Sequence, residues 1–175
     1  MRLTQYINEA RENQPTKEMI DFYEKRTKEH IKRVQKNLHT IAEERNDLNK
    51  VQLMARVKEH DKSKYSEKEK IPYIWLTWWY KEKNEGRKFE YPNGIKEKIK
   101  IATKHHIDIN KHHPQAHSSI DKMSDIDIAE MIADWAAMSQ ELKDNLKAWT
   151  DKSVKKFKFN EKQTKLIYEL VKLFV

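Results

Sequence analysis

Eight histidines stand in this chain, and several fall where a helix would turn them inward. His30 shares one stripe with Val34, Leu38 and Ile41, the spacing of a single helical face. His60 and Asp61 are adjacent and follow Leu53 at offsets of seven and eight, so this pair ends an inward face as well. His106 continues the stripe of Ile95, Ile99 and Ala102, whereas His105 shares a face with Lys98 and Ile101. That favours His106 as the inward member. Asp134 falls between Met131 and Met138 at the edge of an apolar face, where a carboxylate is costly unless it is paired or bound to a cation. His112 and His113 add two imidazoles in a connecting segment. A lone inward His is most often a hydrogen-bonded core residue, and one His-Asp dipeptide says little. Two inward His, a carboxylate beside one of them and a further inward Asp on another helix are much less expected by chance. Imidazole nitrogen with carboxylate oxygen suits one or two divalent ions of Mn, Fe, Co, Ni or Zn.

The elements that must position these groups are helices. A long first helix is predicted from near Thr16, just after Pro15, to Glu43–Glu44. Asp47 is the expected cap of a second helix carrying Leu53, Met54 and Val57 up to His60. Ser66 and Glu69 fit a capping box for a third, although the helix can instead begin at Pro72 and run through Trp75, Trp78 and Trp79. A polar loop holding Gly86 and Tyr91-Pro92-Asn93-Gly94 precedes a fourth helix from Ile95 through His106. Asn110 to Ser119, interrupted by Pro114, reads as loop or broken helix. A fifth helix is expected from about Ser124 and a terminal one after Asn160. No segment alternates with period two, so the fold class is all-α.

Composition narrows the chemistry. The 175 residues suit a single domain. Hydrophobic residues make up 37%, below the usual ~45–50%, but five Trp, seven Tyr and five Phe supply large buried areas. With two Gly and neither GxGxxG nor GxxxxGK, dinucleotide-binding and P-loop folds are excluded. Zero Cys removes disulfides, thiolate zinc sites, iron–sulfur clusters and Cys nucleophiles, and fits a reducing cytoplasm. The apolar run Ile71 to Tyr80 falls short of the ~20 residues of a membrane helix, and the first residues lack the apolar core of a signal peptide.

The order His30, His60-Asp61, the His106 and His112-His113 group, then Asp134 resembles the His…His-Asp…Asp motif of the HD-domain superfamily of metal-dependent phosphohydrolases. His60-Asp61-Lys62-Ser63-Lys64 is similar to the HDxxK form of its two-metal branches. The blocks KHHIDINKHHP and EMIADWAAMS resemble a group of small phage and bacterial HD-like proteins. The resemblance spans roughly Glu29 to Ser139, with residues 140–175 as a helical extension of one HD-type domain. It implies that His30, His60, Asp61 and Asp134 hold one metal, with Asp61 bridging to a second held by His106 and by His113 or His112. It implies that Lys64 reaches a phosphate or sugar of the substrate. From composition and the lack of a membrane or signal segment the expected location is the cytoplasm, a host's if the chain is phage-encoded. A bound cation lowers the pKa of water toward neutrality beside a phosphorus. Lys64 would neutralise phosphoryl oxygens, and a spare imidazole, His105 or His112, would protonate the leaving alkoxide. No GYP-type signature points to a cyclic-di-GMP substrate.

The net charge of +8 raises nucleic-acid binding as a rival. Lysines interleave with glutamates almost everywhere, however, and the densest excess, Lys152 to Lys158, is short. A solvated surface with attraction for anionic substrates is the better reading. Trp75, Trp78, Trp79 and Tyr80 are expected in the core rather than as a base-stacking platform. His39 is assigned a structural role. The expected activity is hydrolysis of a phosphoester in a nucleotide or related small molecule. The rivals are an HD-fold di-iron oxygenase and a non-catalytic nucleic-acid- or partner-binding protein with a structural metal.

Overall fold

Apolar residues spaced at three and four positions can hide only by coiling into helices that pack on one another. The computed structural model, which describes residues 14–175, does this throughout. Its described residues form seven α-helices, three short 3-10 turns and no strand. The helices are α1 (Lys17–Glu44), α2 (Lys50–Glu59), α3 (Lys70–Asn84), α4 (Ile95–Ile109), α5 (Asp125–Leu142), α6 (Leu146–Phe157) and α7 (Glu161–Val171). The fold class is all-α. Among the described residues, no helix is long and apolar enough to cross a membrane.

Chain contacts group into two units. One takes in residues 14–27 and Lys62–His106, the other Lys28–Asp61 and Ile107–Val175. Neither is a continuous stretch, so no linker marks either in the sequence.

The second unit is built on α5. Its capping box is complete: Ser124 Oγ accepts from Asp127 N at 3.1 Å, and Asp127 Oδ2 accepts from Ser124 N at 3.1 Å. Ile128, Met131 and Ile132 of this helix are fully buried with Leu38 and Ile41 of α1, Leu53 of α2 and Ile167 and Leu170 of α7. Each such side chain contributes about 1.5–3 kcal/mol through burial. Register between α1 and α5 is fixed by a polar clasp. Buried Asn37 donates to the Ala133 carbonyl at 3.0 Å, and Gln140 donates to Asn37 Oδ1 at 3.4 Å. Because Asn37 lies two turns from His30, and Ala133 adjoins Asp134, the clasp sets those two site residues against each other.

In the first unit, Met19, Tyr23, Ile74, Trp75 and Ile95 are buried, with Trp78, Phe89 and Tyr91 packed on them. Trp75 is core, as expected, while Trp78 and Trp79 are half-buried and Tyr80 is exposed. Lys81 Nζ stands 3.9 Å from the Trp78 ring centroid and Lys83 Nζ 4.9 Å from that of Trp79. Lysines thus cover those indole faces.

Two local expectations are corrected. Asp47 does not cap α2, because Arg45 captures its carboxylate at 2.8 and 2.7 Å. Asn49 caps instead, accepting from Gln52 N at 3.1 Å. Glu69 occupies the N-cap position of α3, but its side chain makes no capping bond. Pro72 sits in the first turn of that helix, where its missing N–H is not needed. As expected from its apolar run up to His60, α2 ends at Glu59. A 3-10 turn, Lys62–Tyr65, follows.

Candidate metal centre

The end of α2 creates the centre of the second unit. His60 closes the helix, its N–H bonded to the Arg56 carbonyl at 2.9 Å. Asp61 then takes a left-handed conformation, φ 56°, one that Asp tolerates better than most residues. In an uninterrupted helix, neighbouring side chains point away from each other. Here the break lets both enter one site, with Asp61 Oδ2 3.5 Å from His60 Nε2.

Two further helices complete the cluster. From α1, His30 Nε2 lies 3.6 Å from Asp61 Oδ2 and 3.0 Å from Asp134 Oδ1. From α5, Asp134 Oδ1 lies 4.0 Å from His60 Nε2. His112, in the segment after α4, brings Nε2 to 3.8 Å from Asp61 Oδ1. His30, His60, Asp61 and His112 are buried, and Asp134 is nearly so. Donor atoms of His30, His60 and Asp61 lie within 4.8 Å of one another, as do those of His60, His112 and Glu130. The two Asp61 oxygens therefore face different imidazoles, Oδ2 toward His30 and His60, Oδ1 toward His112.

Protonation in the cluster follows from its contacts. Burial pushes the Glu130 carboxyl up, but hydrogen bonds from His112 and His60 outweigh it and bring it down to about 2. Asp134 is likewise held below the ordinary carboxylate range, burial being overcome by the His30 bond and by imidazole charge. Burial would lower the His112 imidazole, yet the Glu130 bond and the charges of Asp134 and Asp61 raise it on balance. Glu130 is thus an ionised acceptor, and His60 Nδ1–H must donate to its Oε1 at 2.9 Å. The opposite nitrogen, His60 Nε2, is buried and makes no hydrogen bond. In a neutral ring it carries a lone pair directed at the carboxylates of Asp61 and Asp134. A divalent cation fits that arrangement. It needs the lone pair, it compensates clustered carboxylates, and imidazole–carboxylate donors suit first-row metals.

The remaining candidates have definite positions. His113 is half-buried beside His112, ring centroids 4.1 Å apart. His106 is buried, as its stripe predicts, and belongs to the first unit. There His106 Nδ1 lies 3.0 Å, and His105 Nδ1 2.8 Å, from the two oxygens of Glu69, which has 0% exposure. Ser63 Oγ donates to the same carboxylate at 3.0 Å. Burial pushes Glu69 up, but the bonds from His106, His105 and Ser63 bring it below its ordinary value. Lys64 sits in the same unit, its Nζ 6.0 Å from the Tyr73 ring centroid. His39 is exposed, and His117 Nε2–H donates to the Lys111 carbonyl at 2.8 Å.

Sequence reasoning passed over Glu130, Arg56 and Glu69. Glu130 had a signal, since it stands one helical turn before Asp134 on a mostly apolar helix. Arg56 had a weaker one, a turn before His60. Glu69 had none of its own, because its spacing from Ser66 reads as a cap.

No curated protein and no solved structure matches the chain. An all-helical chain with clustered His, Asp and Glu able to coordinate a metal ion is what the sequence builds. Residues 19–173 match one family over most of the length, and the chain belongs to it: the family of unknown function DUF5662.

Proposed function

We propose that this protein is a metal-dependent phosphohydrolase acting on a phosphoester of a nucleotide or related small molecule. The observation that carries the metal-dependent part is His60. Its Nδ1 is tied to an ionised Glu130 and its buried Nε2, without a hydrogen bond, is aimed at Asp61 and Asp134. His30, His60, Asp61 and Asp134 would hold the first ion, and Asp61 Oδ1 with His112 would contribute to a second. His106 and His113 remain proposed ligands on the strength of the HD-type motif. A divalent cation so held supplies a Lewis acid and an acidified water. The hydrolytic part rests on that same motif and its HDxxK segment. Lys64 is assigned the charge on phosphoryl oxygens, and His105 or His112 the proton for the leaving oxygen. Glu69 orients His105 for that task, holding its Nδ1.

The test is metal analysis of protein purified without chelators, followed by a screen of nucleotide mono- and diesters with Mn, Co, Zn and Fe. We expect one or two ions per chain and turnover of at least one ester, with Asp61→Ala losing both. Full metal content in Asp61→Ala would overturn the ligand assignment. An iron-loaded protein that consumes oxygen and leaves every ester intact would overturn hydrolysis.

A further inference from the structure

The buried Glu130 carboxylate serves two imidazoles at once. Its Oε1 lies 2.9 Å from Nδ1 of His60 and 3.4 Å from Nδ1 of His112. On the far side of each ring Nε2 faces Asp61, at 3.5 Å for His60 and 3.8 Å for His112. Both rings thus stand between two carboxylates. The second Glu130 oxygen, Oε2, accepts from Arg56 Nη1 at 3.0 Å, while Arg56 Nη2 donates to Asp127 Oδ1 at 2.6 Å. Asp127 is itself locked in the capping box of α5. The guanidinium is therefore held at two points, and it holds the carboxylate in turn.

We infer that Glu130, backed by Arg56, is a positioning residue that keeps the proton of both His60 and His112 on Nδ1 and so turns two Nε2 lone pairs toward Asp61. This rests on the metal-centre reading and deepens it, because one carboxylate then couples a ligand of the first ion to a ligand of the second. Arg56 gives the device its polarity. A guanidinium can only donate, so in Glu130→Gln the amide oxygen turns to Arg56 and the amide NH2 faces both Nδ1 atoms. That forces the ring protons to Nε2 and removes the lone pairs without changing the side chain's shape. A carboxylate that merely neutralised charge would have no such effect on ring tautomers.

The experiment reads tautomers directly, by long-range 1H–15N correlation on the 15N-labelled full chain, stripped of metal, at a pH alkaline enough to keep both rings neutral. In the wild type, neutral His60 and His112 should both appear as Nδ1–H forms, and in Glu130→Gln as Nε2–H forms. Zinc titration should show Glu130→Gln binding about 10–100-fold more weakly, the scale for losing an outer-shell partner. Glu130→Asp, still an acceptor only, should recover part of that loss. Nε2–H forms in the wild type, or wild-type zinc affinity in Glu130→Gln, would overturn the inference. The wild-type tautomers need no variant, so a Glu130→Gln chain that failed to fold would still leave a decisive measurement. Correct tautomers in a wild-type chain that bound no zinc would support the positioning role while overturning the metal-centre reading.

Discussion

Lys64 is held through its backbone, while its side chain lies along an aromatic ring. Its carbonyl accepts from the Tyr23 hydroxyl at 2.8 Å, and its ammonium rests beside the Tyr73 ring. The role proposed for that ammonium is to meet the phosphoryl oxygens of a substrate. An ammonium aimed at phosphoryl oxygens contributes most as charge builds in the transition state. Lys64→Ala is therefore expected to leave metal content and folding intact and to cut turnover about 10²-fold, the scale for one electrostatic donor. Lys64→Arg should restore only part, since a guanidinium is broader and differently shaped. Steady-state kinetics on any ester found in the screen decide it, and unchanged turnover in Lys64→Ala would remove the residue from the mechanism. At this scale the sequence was eloquent about His30 and His60, whose inward placement follows from helical spacing. It was mute on His112 against His113, because neighbours in an irregular segment have no period to separate them.

Helix α5 illustrates what holds the site at the level of elements. It presents Glu130 and Asp134 one turn apart, and its start is fixed by Ser124 and Asp127. Ser124→Ala removes the acceptor for Asp127 N and should cost about 1 kcal/mol, visible as a lower urea midpoint at unchanged slope. No shift would mean that the Arg56–Asp127 pair alone anchors this end. The Ser124 and Asn160 starts were legible in the sequence because polar cap and apolar run adjoin there. Helix α6 was not. Its buried face is Leu146, Thr150 and Ser153, so burial of small polar residues replaces the apolar stripe that announces a helix. Thr150 satisfies its hydroxyl on the Leu146 carbonyl at 2.9 Å, which makes that burial tolerable.

Across the whole molecule, the second unit concentrates Asp61, Glu130 and Asp134 among three imidazoles and one guanidinium. A cation that binds the folded chain alone stabilises it by mass action, about 2.7 kcal/mol at a free concentration of 100 times Kd. For a chain of this size that corresponds to a rise in Tm of about 5–10 °C. Calorimetry of protein stripped with a chelator, then reloaded with Mn, Co or Zn, should show this rise and its reversal. Identical melting in both states would argue against a tightly held ion. The net charge of +8 acts at this scale too, as a diffuse attraction for anions.

Helical periodicity, the absence of Cys and the scarcity of Gly were enough, by themselves, to determine an all-α chain with inward His and Asp on separate helices. Those properties are local, written in residues three or four apart. Which oxygen of Asp61 faces which imidazole, that Glu130 binds His60 and nears His112, and that Glu69 turns from a cap to His105 and His106 were decided only by tertiary structure. These contacts join residues up to seventy positions apart, and each depends on where a helix ends. The left-handed turn at Asp61 redirects a side chain that helical spacing alone would have pointed elsewhere.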